Sequence, residues 1–244
     1  MRNALIVGAS SGVGRALIEK LAKNNCDLIL CARSSRDLEA NATDVILRFG
    51  TKVKFAALDI NDKDQRSELI SLAVKIGNIT DLFITIGDIA DNDNGLQDYH
   101  SIDSLVNSNF LSIIMFISGV LKKSGTNGKL NIVLLSSIAI SRPRKNNLVY
   151  AASKAAVDFY FRGMQHLFVN TNVNIIIFRL GYIDTAMSYG KKLLLHPVSP
   201  IKTADYILSK LNTRKRIYYY PWYWRYFTII IRLIPWIIYK RLSF

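Results

Sequence analysis

The 244-residue sequence predicts one α/β domain, a doubly wound and mostly parallel sheet flanked by helices, followed by an amphipathic C-terminal helix. Three observations lead there. Short, almost continuously apolar runs alternate with helix-length segments, a glycine-rich turn joins the first run to an amphipathic stretch, and residues 221–244 combine aromatic, aliphatic and basic side chains without one acid. With 50% hydrophobic and 20% charged residues the chain can bury a full core, which excludes intrinsic disorder. No linker, low-complexity tract or solenoid-length repeat divides it.

Taken in order, residues 4–7, 27–31, 53–57, 82–86, 130–135 and 174–178 read as strands, and Ile217-Tyr218-Tyr219-Tyr220 as a last one. Their lack of polar alternation is what strands covered on both faces by helices require. Such sheets bind ligands beyond the carboxyl ends of their strands, so the residues just after each run are the ones to inspect. After the first stands Gly8-Ala9-Ser10-Ser11-Gly12-Val13-Gly14, leading into a helix. Glycines let a backbone approach a pyrophosphate, while free amide N–H groups at a helix start hold its charge. After the second comes Arg33, where an acid would bind both ribose hydroxyls and an arginine can pair with a 2′-phosphate. Asp59-Ile60 follows the third, placed to meet an adenine edge, and Thr85-Ile86-Gly87 follows the fourth.

The fifth run ends at Ser136-Ser137, and Tyr150 and Lys154 lie beyond it at i and i+4. On a helix these two share a face, and an ammonium one turn away can stabilise the phenolate of a tyrosine whose ordinary pKa is ~10. That pairing suits proton transfer.

Glycine turn, strand-end serine, tyrosine and lysine stand in an order that resembles the short-chain dehydrogenase/reductase family from Ala4 to about Met187. Gly8-x-x-x-Gly12-x-Gly14, Asn109, Ser137 and Tyr150-x-x-x-Lys154 match its patterns. The resemblance implies a Rossmann fold with Tyr150 as general acid/base, Ser137 polarising the substrate carbonyl, Lys154 lowering the tyrosine pKa and holding the nicotinamide ribose, and Asn109 supporting a proton-relay water. It implies cofactor contacts at Gly8, Ser10, Ser11, Gly12, Val13, Gly14, Arg33, Asp59, Ile60, Gly87, Tyr150, Lys154, Gly181, Ile183 and Thr185. NADP(H) is the preferred cofactor because of Arg33, with NAD(H) second; no metal is expected. The family pattern also implies a homo-oligomer. Two departures stand out: Thr85-Ile86-Gly87 replaces Asn-Ala-Gly, and Leu180-Gly181 replaces Pro-Gly, which puts the local course of both loops in question. Residues 182–198, with apolar Leu193-Leu194-Leu195, are expected to form a mobile substrate lid. Asp88, Asp91, Asn92, Asp93 and Asn94 could hydrogen-bond sugar hydroxyls.

The formal charge is +14, and after the last acid, Asp205, come eight basic residues, so most of the excess sits in the tail. Arg225 and Arg232 interrupt the tail and Pro235 follows, so it holds no apolar run of ~20 residues able to span a bilayer. On a helical wheel Arg225, Thr228 and Arg232 share one face, leaving Tyr226, Phe227, Ile229, Ile230, Leu233 and Ile234 on the rest, the pattern of an interfacial membrane helix. Residues 1–220 are thus expected as the dinucleotide-binding and catalytic domain and 221–244 as a membrane-associating extension.

Pro221-Trp222-Tyr223-Trp224-Arg225, Ile234-Pro235, Lys240-Arg241-Leu242 and Ser108-Asn109-Phe110-Leu111-Ser112 are similar to bacterial decaprenylphosphoryl-2-keto-pentofuranose 2-reductases. That resemblance implies a lipid-linked sugar substrate and a role in cell-envelope synthesis. The alternatives are a reductase of another hydrophobic ketone, or a noncatalytic dinucleotide-binding regulator, against which the intact Ser137, Tyr150 and Lys154 argue. Nucleic acid is not an expected partner, because the basic residues lie among membrane-type aromatics without a recognition motif. Cys26 and Cys31 lack metal-ligand spacing, and the short apolar run after Met1-Arg2-Asn3 is too brief for a signal-peptide core, so a reducing cytoplasmic setting is expected, at the inner membrane face.

Overall fold

The computed structural model describes residues 2–90, 93–94, 96–125, 128–190, 195–213 and 216–242. Helices and strands alternate: β1 (Asn3–Val7), α1 (Gly12–Lys23), β2 (Asp27–Ala32), α2 (Ser35–Phe49), β3 (Val53–Ala57), α3 (Lys63–Ile76) and β4 (Asp81–Ile84). They continue through α4 (Tyr99–Val106), α5 (Ser112–Ser124), β5 (Leu130–Ser137), α6 (Leu148–Leu167), β6 (Val173–Leu180), α7 (Pro200–Lys210), β7 (Ile217–Tyr220), α8 (Trp224–Leu233) and α9 (Trp236–Tyr239). The seven strands form one sheet in the order β3-β2-β1-β4-β5-β6-β7 with every pairing parallel. The order reverses between β1 and β4, which opens a crevice at their carboxyl ends.

Each face of the sheet carries its own core. Leu17 and Leu21 of α1, Leu38 of α2 and Ile207 of α7 pack on one side; Leu69 of α3, Phe116 and Ile117 of α5, and Val157 and Phe161 of α6 pack on the other. This two-sided burial is why the strand sequences show no alternation. α4, a π turn over Asn107–Leu111 and α5 run on as one helix, long and apolar enough to cross a membrane by length and composition. Its Ile113, Phe116, Ile117 and Val120 are buried in the sheet-facing core.

At the amino ends of the strands a polar ladder crosses the sheet. Arg2 donates to both carboxylate oxygens of the fully buried Asp81 at 3.0 Å, Asn131 of β5 donates to Asp81 at 2.7 Å, and Asn174 of β6 donates to Asn131 at 3.1 Å.

The tail departs from the expected single helix. It breaks at Ile234-Pro235, because proline cannot continue the ladder and pushes its predecessor into extended backbone. Its polarity is also the reverse of a soluble surface helix. Thr228 is buried and Arg232 donates to the Ser141 carbonyl at 3.1 Å, so much of the polar stripe faces the protein, while Leu233 is 77% and Ile230 60% exposed.

Candidate active site

The carboxyl ends of β1, β2, β4, β5 and β6 border a cavity of about 1110 Å³, large enough for a dinucleotide and a second molecule. Of the residues given catalytic or cofactor roles from the sequence, all line it except Gly14 and Asn109.

At one end the turn after β1 meets α1. Gly8 has φ +97°, and a Cβ there would lie 2.6 Å from Thr85 Oγ1; a Cβ on Gly14 would run into the Gly8 carbonyl. Ser11 at the N-cap makes no side-chain bond to the helix, whereas Ser34, Asp62, Asp98 and Ser199 cap α2, α3, α4 and α7. The first amide groups of α1 therefore lack a side-chain acceptor beside the cavity, the arrangement that suits a phosphate. Thr85, the departure after β4, brings its hydroxyl within 3.0 Å of the Val7 and Gly8 carbonyls and so ties β4 to this turn.

Arg33 stands just after β2, exposed, with its guanidinium 3.7 Å from the Asp88 carboxylate across the crevice. Asp59 accepts the Asn61 N–H, and Ile60 is buried. Thr185 lies against Gly12, with Cγ2 3.2 Å from where a Gly12 Cβ would be. Ile183 pairs with Val198 in a single bridge, which joins the two ends of the 182–198 segment. Residues 191–194 of the expected lid, with Leu193 and Leu194, lie outside the described residues, as do Asp91 and Asn92.

At the other end Ser137 closes β5 and Tyr150 and Lys154 share the cavity face of α6. Ser137 and Tyr150 line the cavity together, and Ser137 Oγ accepts the Ala139 N–H at 3.1 Å. Lys154 is buried; its Nζ donates to the Ile86 carbonyl at 2.9 Å and the Leu135 carbonyl at 3.4 Å. Burial pushes the Lys154 ammonium down to about 8. Burial likewise pushes the Tyr150 phenol up, opposed by the bond from Ser137 and by the charge of Arg144. Asn109, fully buried in the π turn, spends both amide atoms on Asp88, accepting its N–H at 2.9 Å and donating to its carbonyl at 2.8 Å, and so fixes the loop after β4.

Asp93, in the same loop, anchors the next helix. It is buried, and its carboxylate accepts the N–H groups of Val149 and Tyr150 at 3.0 and 2.8 Å, holding the amino end of α6. Two further residues escaped sequence reasoning. Asp158, one turn beyond Lys154, accepts from Ser136 at 3.0 Å and forms a buried two-pronged pair with Arg179 of β6 at 3.0 and 2.7 Å. This binds the helix carrying Tyr150 to the two strands beside it. An i+4 continuation of the Tyr150–Lys154 face was the signal that could have found Asp158.

The tail packs behind the wall. The Gly181 N–H donates to Tyr220 at 2.9 Å, and a Cβ at 181 would strike the Trp224 indole, which also meets Tyr182 edge-on. Arg142 donates to the Ile231 and Ile234 carbonyls at the end of α8 and lies 3.9 Å over the Tyr239 ring, while Tyr239 donates to the Pro143 carbonyl at 2.7 Å.

The sequence profile of the short chain dehydrogenase family matches residues 2–192, and the chain belongs to that family. It is accordingly an NAD(P)-dependent oxidoreductase of the short-chain type. An uncharacterised oxidoreductase of Mycobacterium tuberculosis (strain H37Rv) is 25% identical over 98% of this chain and 96% of its own length. One of Staphylococcus haemolyticus is 25% identical over 86% and 91%. Among solved structures, a bulky-bulky ketone specific alcohol dehydrogenase from Comamonas testosteroni superposes with a TM-score of 0.84 at 20% identity over 97% and 96% of the two chains. A short-chain dehydrogenase from Sphingobium yanoikuyae in complex with NADPH gives 0.82 at 22% identity over 91% and 88%.

Proposed function

We propose that the protein is a ketoreductase that uses NADP(H) in preference to NAD(H) and acts on the 2-keto group of a polyprenylphosphoryl pentofuranose in cell-envelope synthesis. The observation that carries the reaction class is the convergence of Ser137, Tyr150 and Lys154 on one cavity, opposite the glycine turn. The residues present fit a dinucleotide: Gly8 and Gly14 let the turn after β1 close tightly where no Cβ would fit, the α1 amides have no side-chain cap, and Arg33 suits a 2′-phosphate. Bound there, the nicotinamide supplies a hydride for the carbonyl carbon. Gly12, Ser10, Ser11 and Val13 would hold its phosphates, Asp59 and Ile60 its adenine, and Gly87, Gly181, Ile183, Thr185 and Lys154 its nicotinamide half. Ser137 positions the carbonyl oxygen, and Tyr150 gives it a proton from the phenol. Asn109 keeps the Asp88 loop in place around them. The NADPH complex of the Sphingobium enzyme supports the cofactor preference.

The substrate reading rests on the tail. Trp222, Ile229, Ile230, Leu233, Trp236 and Ile237 turn outward beside the cavity wall, with Arg225, Lys240 and Arg241 exposed among them and no acid in the segment. Apolar side chains, aromatics and cations together suit the surface of an anionic bilayer, so residues 221–244 act as the membrane-associating extension of a cytoplasmic enzyme whose first 220 residues form the catalytic domain. A lipid-linked substrate can then stay in the bilayer while its head enters the site. Exposed Met115 of α5 and Phe159 of α6, away from that face, suit a homo-oligomer contact.

The test is oxidation of NADPH and NADH, followed at the nicotinamide absorbance, with polyprenylphosphoryl 2-keto-pentofuranose in detergent against a panel of simple hydrophobic ketones. Turnover of the ketosugar is expected. Turnover of the simple ketones alone would keep the reaction class and favour the other reading, a reductase of hydrophobic ketones, to which the Comamonas structure lends weight.

A further inference from the structure

We propose that Arg144 forms an anion subsite beside the reacting carbonyl and grips a phosphoryl group lying between that carbonyl and the apolar part of the substrate. The inference deepens, and rests on, the reading of the cavity as a ketoreductase site. Arg144 lines the cavity and is half-buried, yet among the described residues no carboxylate or carbonyl accepts a hydrogen bond from it. Other arginines near the sheet and tail are engaged: Arg2 with Asp81, Arg33 with Asp88, Arg179 with Asp158, Arg142 with the tail carbonyls. Of the acids lining the cavity, Asp88 faces Arg33, and Asp59 lies after β3 and accepts the Asn61 N–H.

Position gives the order of groups. Arg144 lines the same cavity as Tyr150, while its neighbours Arg142 and Pro143 are the residues that touch Tyr239 of the tail. An anion held there has the proton donor before it and the outward apolar surface behind it. The segment is also braced, since Tyr239 holds the Pro143 carbonyl and Arg232 the Ser141 carbonyl. Bracing lowers the entropy lost on binding, and a planar guanidinium matches two phosphoryl oxygens at once. A keto group, a phosphodiester and an apolar chain, in that sequence, describe the substrate class.

Calorimetry on the NADPH-loaded full chain, with farnesyl phosphate and farnesol as probes, tests this without turnover. Wild type is expected to bind the phosphate tighter than the alcohol by about tenfold or more. Arg144→Gln should abolish that preference while leaving farnesol and NADPH affinity unchanged, and Arg144→Lys should restore part of it. A preference that survives Arg144→Gln would place the phosphate on the tail cations and overturn the proposal, as would no preference in wild type. If Arg144→Gln does not fold, the Lys variant decides, because loss of the two-pronged grip must still weaken the phosphate selectively. Failure of the ketoreductase reading shows separately, as absence of NADPH oxidation with every ketone while the phosphate preference persists.

Discussion

Lys154 is a buried cation that forms no ion pair among the described residues, the Asp88 charge offsetting its burial only in part, and that makes stability depend on pH in a defined window. Its ammonium falls from 10.5 to about 8 on folding because burial disfavours the charge. Between those values the unfolded chain holds the proton and the folded chain does not, so stability rises with pH from 8 to 10.5. The difference corresponds to about 3 kcal/mol, and since Lys154 is only 3% exposed, solvent screening removes little of it. Urea unfolding of the cofactor-free protein at pH 7 and pH 10, beside Lys154→Met, isolates the effect. Cys26, pushed up to about 11, and Cys31, pushed up to about 12, pull the other way above pH 9, but they act in both proteins and cancel in the comparison. Wild type should gain about 2 to 3 kcal/mol on the variant over that range. A gap between the two that does not move with pH would refute the reasoning, since it would mean that Lys154 keeps its proton in the folded state.

Tyr150→Phe should abolish turnover and leave NADPH affinity nearly unchanged in a fluorescence titration; retained activity would remove the phenol from proton transfer. Arg33→Asp should weaken NADPH by about 10- to 100-fold while sparing NADH, given a charge-assisted contact of ordinary strength, and equal losses would remove the 2′-phosphate role. Asp158→Asn leaves the buried Arg179 guanidinium uncompensated and should cost about 3–5 kcal/mol by urea unfolding, with kcat falling more than NADPH affinity because Ser136 adjoins Ser137; unaltered stability would contradict the network. Replacing Ile229, Ile230 and Leu233 with serine should release the protein from anionic liposomes with the NADPH affinity intact. This is a cleaner cut than truncation after Tyr220, which would also remove Trp224 from behind Gly181 and Tyr182; liposome binding at the wild-type level would end the interfacial reading.

The parts legible in the sequence are those set by local spacing. Strand runs, the glycine turn and the Tyr150–Lys154 face follow from periods of two and 3.6 and from turn chemistry. What a spacing cannot convey is which neighbour the chain brings back. Asp93 reads as a polar loop residue open to sugar hydroxyls until α6 arrives above it, and no spacing marks Arg144, whose neighbour Pro143 the tail returns to hold. The helical wheel separates the tail's polar and apolar faces, but their assignment to protein and exterior depends on Ser141 and Arg142, some ninety residues earlier. Strands β5 and β6 each run on to Ser137 and Leu180 because their pairing continues through polar Ser136 and Arg179, which the Asp158 network satisfies.

The Arg2–Asp81–Asn131–Asn174 ladder lies at the opposite end of the strands from every residue that borders the cavity. A one-residue slip of β4 would withdraw the Asp81 carboxylate from Arg2 and Asn131 together, and a slip of β5 would part Asn131 from both its partners, so alignment is enforced where no chemistry happens. The loops at the other rim are thereby relieved of any duty to hold strands in step. Lineages sharing this scaffold can lengthen or rewrite those loops, as Thr85 and Leu180 do here in small measure, and acquire new substrates without endangering the sheet.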